Sequence, residues 1–289
     1  MTMMPTTLSM PAYTVHQLGF HYRHEAAHES QAWSLREVDF QVARGEILGV
    51  IGPNGSGKTS LLKLLAKILR PHEGFIDLFE EKLDGLAHRT VARSVAFVPQ
   101  ESVQVFPFTI FEMVLMGRFP QHRHTIFGGW GWEGEEDLRI AEQAMTTMGV
   151  LALAHRRIGD VSSGERQRVM IARALAQQPR ILLLDEPTAF LDLNHQIEIC
   201  SSLRRMNREQ GLTVVWVSHD LNLASQYCDR LLLLNRGALF KLGAPDEVIQ
   251  PATIAHVYGC EVLVDRHPMS GVPRITLPAA SSPSEQRSS

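Results

Sequence analysis

The segment GPNGSGKT at residues 52–59 restricts this chain to a small set of architectures. It fits the pattern G-x-x-x-x-G-K-[S/T], and its flanks fit as well. Residues 46–51 (EILGVI) read as a buried, β-branched strand, and residues 58–69 (KTSLLKLLAKIL) place leucines at helical spacing until Pro71 stops the helix. A glycine-rich turn with an incidental lysine has no reason to sit between two such elements. In a strand–loop–helix unit the glycines let the backbone curl so that successive N–H groups point inward at phosphate oxygens. The helix N-terminus adds positive potential there. Lys58 is then placed to reach β- and γ-phosphates, and the Thr59 hydroxyl to hold Mg²⁺.

A second segment supplies acids. Residues 181–186 read ILLLDE, an apolar strand ending in two carboxylates. Asp185, at the strand's end, is a candidate Mg²⁺ ligand, directly or through water. Glu186 points differently and is a candidate general base for an attacking water. Alone this run is a strand followed by a solvated turn; downstream of a phosphate loop it reads as the hydrolytic side of a site. Residues 13–22 and 35–42 read as further strands, as do residues 213–218. Residues 163–176 read as a helix capped by Ser162, and residues 194–210 as another. Strands alternating with helices predict a parallel sheet. Residues 101–160 break that alternation with amphipathic pieces at 110–116 and 135–148, the pattern of a helical insertion.

Composition bounds the partners. The net charge of −3 gives no basic field to attract DNA, RNA or acidic lipid. No stretch approaches the roughly 18 apolar residues of a membrane span, and residues 1–11 lack a secretory pattern. A role at a membrane therefore requires recruitment by a partner. Cys200, Cys228 and Cys260 are odd in number and far apart, which argues for a reduced, cytoplasmic protein rather than a disulfide framework.

Residues 161–169 (VSSGERQRV) decide among phosphate-loop proteins. They closely resemble the signature of ATP-binding-cassette (ABC) ATPases, usually written LSGGQ, and they lie upstream of the acidic strand at the family's usual interval. Val161, Ser163 and Glu165 depart from that consensus; a serine keeps the backbone donors and adds a hydroxyl. The resemblance spans residues 13–275 and implies an α/β fold. Its core is a P-loop NTPase (RecA-like) parallel sheet, with an N-terminal antiparallel β-subdomain and an α-helical subdomain inserted at about residues 101–176. Residues 1–12 then form an N-terminal extension and residues 276–289 a disordered tail. The resemblance further implies that ATP is bound by Tyr22, Gly52, Pro53, Asn54, Gly55, Ser56, Gly57, Lys58, Thr59 and Ser60, with Tyr22 stacked on adenine. It implies Mg²⁺ at Thr59, Gln100 and Asp185, and catalysis by Glu186, His219 and Gln100, with Gln100 in VAFVPQ and His219 in WVSHD sensing the γ-phosphate. Ser162, Ser163, Gly164, Glu165 and Asp192 are expected to serve ATP held on a second copy, in a head-to-tail dimer.

Residues 108–120 (FTIFEMVLMGRFP), 191–198 (LDLNHQIE), 219–224 (HDLNLA) and 243–275 are similar to the ATPases that energise import of iron–siderophore complexes, haem and cobalamin. That implies an integral membrane permease seated near residues 101–120, indirectly a substrate-binding protein, no nucleic acid, and a peripheral position on the cytoplasmic face of the inner membrane. Another importer or exporter class, or a soluble ABC ATPase acting on DNA or ribosomes, is the alternative. The long coiled coils or second cassette that such soluble proteins carry are absent from the sequence, and the signature with His219 disfavours a nucleotide kinase or GTPase. His21, His24 and His28, and His122 with His124, are expected in strand ends and solvated loops rather than a metal site. Arg204, Arg205 and Arg208 are expected to be solvated. The FGGWGW segment at 127–132 either touches a permease or lipid headgroups or packs on itself.

Overall fold

The computed structural model describes residues 10–22, 33–100, 107–122 and 134–277. Strands β1 (Pro11–Phe20) and β2 (Leu35–Ala43) pair antiparallel, with alternating buried and exposed residues along β2. Pro11 and Ala12 already pair within β1, so they belong to the sheet and not to an N-terminal extension. Strand β3 (Ile47–Ile51) is buried throughout and leads through the glycine loop into helix α1 (Lys58–Leu65). The helix ends before the expected Leu69. Lys67 takes a left-handed backbone (φ 57°), and its ammonium is buried among the carbonyls of Leu83 (2.8 Å), Asp84 (3.0 Å) and Leu86. Those carbonyls hold the chain out of the helix one turn before Pro71. Strands β4 (Glu73–Leu78) and β5 (Glu81–Lys82) then complete a four-stranded antiparallel sheet of order β2-β1-β4-β5.

Helix α2 (His88–Ser94) and strand β6 (Val95–Val98) lead toward the inserted helices α3 (Ile110–Leu115), α4 (Glu135–Thr147) and α5 (Ser163–Ala176). Between α3 and α4, residues Met116–Gln121 form a 3₁₀ stretch whose Arg118 pairs with Asp137 at the start of α4. The acidic strand β7 (Ile181–Asp185), helix α6 (Leu193–Gln210), strand β8 (Thr213–Val217), helix α7 (Leu221–Tyr227) and strand β9 (Arg230–Asn235) follow, then strand β10 (Ala238–Gly243). The main sheet has the order β10-β9-β3-β8-β7-β6. Its strands are parallel as expected except β10, which closes one edge as an antiparallel hairpin with β9. Fully buried strands β3, β7 and β8 are what a sheet covered on both faces requires. Helices α8 (Pro245–Val248) and α9 (Pro251–Tyr258) and the hairpin of β11 (Leu263–Arg266) with β12 (Pro273–Thr276) end the described chain. The hairpin is fastened to α7: Asn222 exchanges two hydrogen bonds with the backbone of Ile275 (2.8 and 3.1 Å), and the Ser225 hydroxyl donates to Pro273 (2.6 Å). Thr276 pairs with Leu263 inside the hairpin, so the expected tail lies, from residue 278 on, outside the described residues. The FGGWGW segment at 127–132, His24, His28 and His124 also lie outside them.

Candidate nucleotide site

The glycine loop lies at the C-terminal ends of β3 and its parallel neighbours, where open α/β sheets place their ligands. Gly57 caps α1 with φ 99°, and a Cβ there would stand 2.4 Å from the carbonyl oxygen of Ser34, so only glycine fits. Lys58 curls back under the loop, its Nζ donating to the carbonyls of Gly52 (2.8 Å) and Pro53 (2.9 Å). Burial pushes its pKa down, opposed by the charges of Glu186 and Asp185. The Ser56 hydroxyl is buried in the loop with no hydrogen-bond partner among the described residues. An orphaned hydroxyl and a curled lysine around such a cradle fit a polyanion. Beside it, the Thr59 hydroxyl donates to Asp185 Oδ1 (3.2 Å), so a hydroxyl and a carboxylate adjoin, the hard oxygen donors that Mg²⁺ takes.

The acidic strand delivers its two carboxylates to different places, as the sequence predicts. Asp185 is buried, and that burial raises its pKa against the hydrogen bond from Thr59. Glu186 breaks out of the strand with φ 52°, its amide donating to Val217 (3.1 Å). Its carboxylate is held from two sides: Gln100 Nε2 donates to Oε2 (2.6 Å), and His219 Nε2 lies against Oε1. Two residues far apart in the chain, Gln100 and His219, thus converge on the Glu186 carboxylate. Gln100, expected also among the Mg²⁺ ligands, commits its amide nitrogen to Glu186. Tyr22 projects from the end of β1, half exposed at 46%, with its ring edge on Phe20 and its hydroxyl 3.2 Å from Ser60.

The signature residues form a separate surface. Ser162 caps α5 in a reciprocal box: its hydroxyl accepts from the Glu165 amide (3.2 Å), and Glu165 accepts from the Ser162 amide (2.9 Å). The Ser162 amide and hydroxyl hold the Glu165 carboxyl below its usual range. Glu165 therefore caps its own helix, a role that glutamine would also fill at this position. Gly164 faces the ring of His195, where a Cβ would meet Cγ at 2.7 Å, and His195 Nδ1 lies 2.8 Å from Asp192. Asp192 in turn caps α6 by accepting from the His195 amide (3.0 Å). His195 thus joins the two segments expected to act in trans. Sequence reasoning missed it, although its place three residues after an N-cap aspartate was a readable signal. It also missed Ser218, whose hydroxyl anchors the turn after β8 through Asp220 (2.9 and 3.1 Å).

Other candidates have ordinary partners. His21 stacks on His72 at 4.0 Å with Trp33 at its edge, and His122 lies 3.1 Å from Asp137. Arg204, expected to be solvated, pairs with Asp229 at 2.7 Å.

Burial of the Asp185 carboxyl, which raises its pKa, opposes folding. A carboxyl whose folded pKa is raised opposes folding once pH exceeds its unfolded value, about 3.9. Asp185→Asn keeps an acceptor for Thr59 and removes the charge. It is expected to abolish hydrolysis while raising the melting temperature at neutral pH by about 2–4 °C, the shift that about 1 kcal/mol produces in a domain of this size. Thermal melts across pH check this: the gain should shrink as pH falls and the wild-type carboxyl becomes protonated.

The ABC transporter family model matches residues 35–189. The hemin import ATP-binding protein of Gloeobacter violaceus is 45% identical over 250 residues, covering 84% of this chain and 88% of that protein. The ferric enterobactin transport ATP-binding protein of Escherichia coli strain K12 is 35% identical over 248 residues, with 86% and 90% covered. Among solved structures, a metal-chelate type ABC transporter in an inward-facing conformation superposes with a TM-score of 0.76 at 29% identity, covering 92% of this chain and 97% of its own. A dimeric cassette in a post-hydrolysis state with ADP and Pi superposes with a TM-score of 0.69 at 28% identity over 80% of this chain and 98% of its own. The chain belongs to the ABC transporter family, whose ATP-binding proteins are ATPases coupled to transport.

Proposed function

We propose that this chain is the ATP-hydrolysing subunit of an importer for a metal chelate (iron–siderophore, haem or cobalamin) and drives a partner permease. The observation that carries the reading is the similarity, over more than four-fifths of the chain, to ATP-binding proteins named for import of hemin, petrobactin and cobalamin and for transport of ferric enterobactin. The site chemistry supports the ATPase half. Lys58 and the loop amides bind the β- and γ-phosphates, Ser60 faces the nucleotide, and Tyr22 receives the base. Thr59 and Asp185, with Gln100, hold Mg²⁺, which neutralises charge on the phosphoryl oxygens when bound. Glu186 takes the proton of the attacking water, and His219 and Gln100 orient its carboxylate and sense the γ-phosphate.

A second copy completes the site, its turn of Ser162, Ser163, Gly164 and Glu165 meeting the γ-phosphate across a head-to-tail interface. The surface beside Asp192 supports this: Phe190 is 89% and Leu193 75% exposed, apolar groups that a permanently solvated turn has no reason to keep. Closing around two ATP molecules and reopening after hydrolysis moves the permease. Among the described residues no helix is long and apolar enough to cross a membrane. On this reading the permease holds the chain peripherally on the cytoplasmic face.

Affinity purification of the tagged protein from gently solubilised native membranes, followed by mass spectrometry, tests this. A stoichiometric multi-span permease is expected, with a substrate-binding protein encoded or captured alongside. Ribosomal or DNA-associated partners without an integral membrane protein would overturn the transport reading and leave the ATPase standing.

A further inference from the structure

Ser34 lies outside every motif in the chain, yet its amide, carbonyl and hydroxyl tie the end of β1 to the nucleotide loop and the first turn of α1. Its amide donates to Phe20 (2.9 Å), the residue whose ring abuts Tyr22. Its carbonyl faces Gly57 so closely that a Cβ there would stand 2.4 Å away. Its hydroxyl donates to Ser60 Oγ at 3.0 Å, and Ser60 Oγ also lies 3.2 Å from the Tyr22 hydroxyl. The hydroxyls of Tyr22, just past β1, and Ser34, just before β2, therefore meet that of Ser60, itself buried on the first turn of α1.

A serine hydroxyl has one proton and two lone pairs. Ser34 fills one lone pair of Ser60. When Tyr22 donates as well, the second is filled, and the single Ser60 proton is left to face the nucleotide. We propose that Ser34 is a positioning residue for ATP: it fixes the Ser60 hydroxyl as a donor toward the phosphates and, through the same oxygen, fixes the Tyr22 ring as the base platform. The base end and the phosphate end of the nucleotide are then set by one hydrogen-bonded unit. This rests on the reading of Tyr22 and Ser60 as ATP contacts given above.

The test is steady-state ATPase kinetics of the full chain with Mg·ATP, for Ser34→Ala, Ser34→Thr, Tyr22→Phe, the Ser34→Ala/Tyr22→Phe double variant and Tyr22→Ala, each with its melting temperature. One lost hydrogen bond predicts that Ser34→Ala raises KM by about fivefold, with kcat little changed. Ser34→Thr, which keeps the hydroxyl, should restore KM. Tyr22→Phe keeps the ring and removes its hydroxyl, so its loss should be non-additive with that of Ser34→Ala. A merely structural serine would lower the melting temperature, move kcat with KM, or give additive losses, and each of these overturns the proposal. If Tyr22→Ala weakens ATP and Ser34→Ala does not, the positioning role alone falls. If Tyr22→Ala leaves KM unchanged, the base-platform reading fails and takes this proposal with it.

Discussion

Glu186→Gln is expected to lower the rate of ATP hydrolysis by a factor on the order of 10²–10⁴, the usual contribution of a positioned general base, while ATP still binds. The geometry isolates basicity as the quantity removed. Glu186 leaves β7 with φ 52°, its amide fixed on Val217, so the backbone aims the side chain whatever its charge. A glutamine has the same length and still offers its carbonyl oxygen to Gln100 Nε2 at the position Oε2 now holds, 2.6 Å away. It cannot take a proton from water. Lys58, Thr59 and Asp185 are untouched, so the phosphate cradle stays intact. ATP that is bound but not hydrolysed should keep two copies together, and size exclusion with Mg·ATP should show a dimer of the variant where the wild type runs as a monomer after turnover. Hydrolysis by the variant within about tenfold of wild type would falsify the general-base assignment.

The parts of the molecule legible in the sequence are those where one short stretch determines its own structure. The phosphate loop is such a stretch, because strand, glycines and helix are contiguous. So is α5, whose capping serine and helical pattern gave its bounds as Ser163–Ala176. The parts that were not legible depend on contacts between distant segments. Helix α1 stops early because Lys67 finds carbonyls on the turn at Leu83, Asp84 and Leu86, which no local pattern announces. Strand β10 runs antiparallel because the two-residue turn at Arg236 and Gly237 folds it straight back on β9, a signal that the alternating strand–helix pattern obscures. Within the site, Gln100, Glu186 and His219 could each be named from motifs. That they share one carboxylate is a property of β6, β7 and β8 lying side by side, which the order of the chain does not give. Ser34 belongs to no motif, and the contacts that single it out exist only once β1 and α1 stand beside it.

Arg118 is the extreme case of the second kind, and it carries the largest expected effect on stability. In FTIFEMVLMGRFP nothing local singles it out. In the fold its side chain is 8% exposed and faces Asp137, 9% exposed, at 2.8 Å, while Nη1 donates to Ala176 (2.7 Å) and Gln178 (3.0 Å). The guanidinium therefore ties the start of α4 and the end of α5 to one 3₁₀ stretch, and α5 is the helix that carries the signature turn at its other end. Burial pushes the Asp137 carboxyl up, but the hydrogen bonds from Arg118 and the Gly134 amide, with His122 nearby, bring it below its usual range. Removing Arg118 leaves the Asp137 carboxylate buried with only the Gly134 amide (3.2 Å) and His122 (3.1 Å) beside it. Arg118→Met is thus expected to cost about 3–5 kcal/mol, lowering the melting temperature by on the order of 10 °C, whereas an exposed pair would cost under about 1 kcal/mol. The sign of the pH dependence follows from the depressed pKa. The pair's contribution is complete above the unfolded aspartate value of about 3.9 and is lost as pH falls through the lower folded value. The gap between wild type and variant should therefore be full at pH 7 and narrow in acid. Adding Asp137→Leu to Arg118→Met removes the stranded carboxylate and should recover part of the loss. Denaturant melts of the two variants decide it: equal losses in both would show that packing by the arginine stem, and not the charge left behind, holds the inserted helices together.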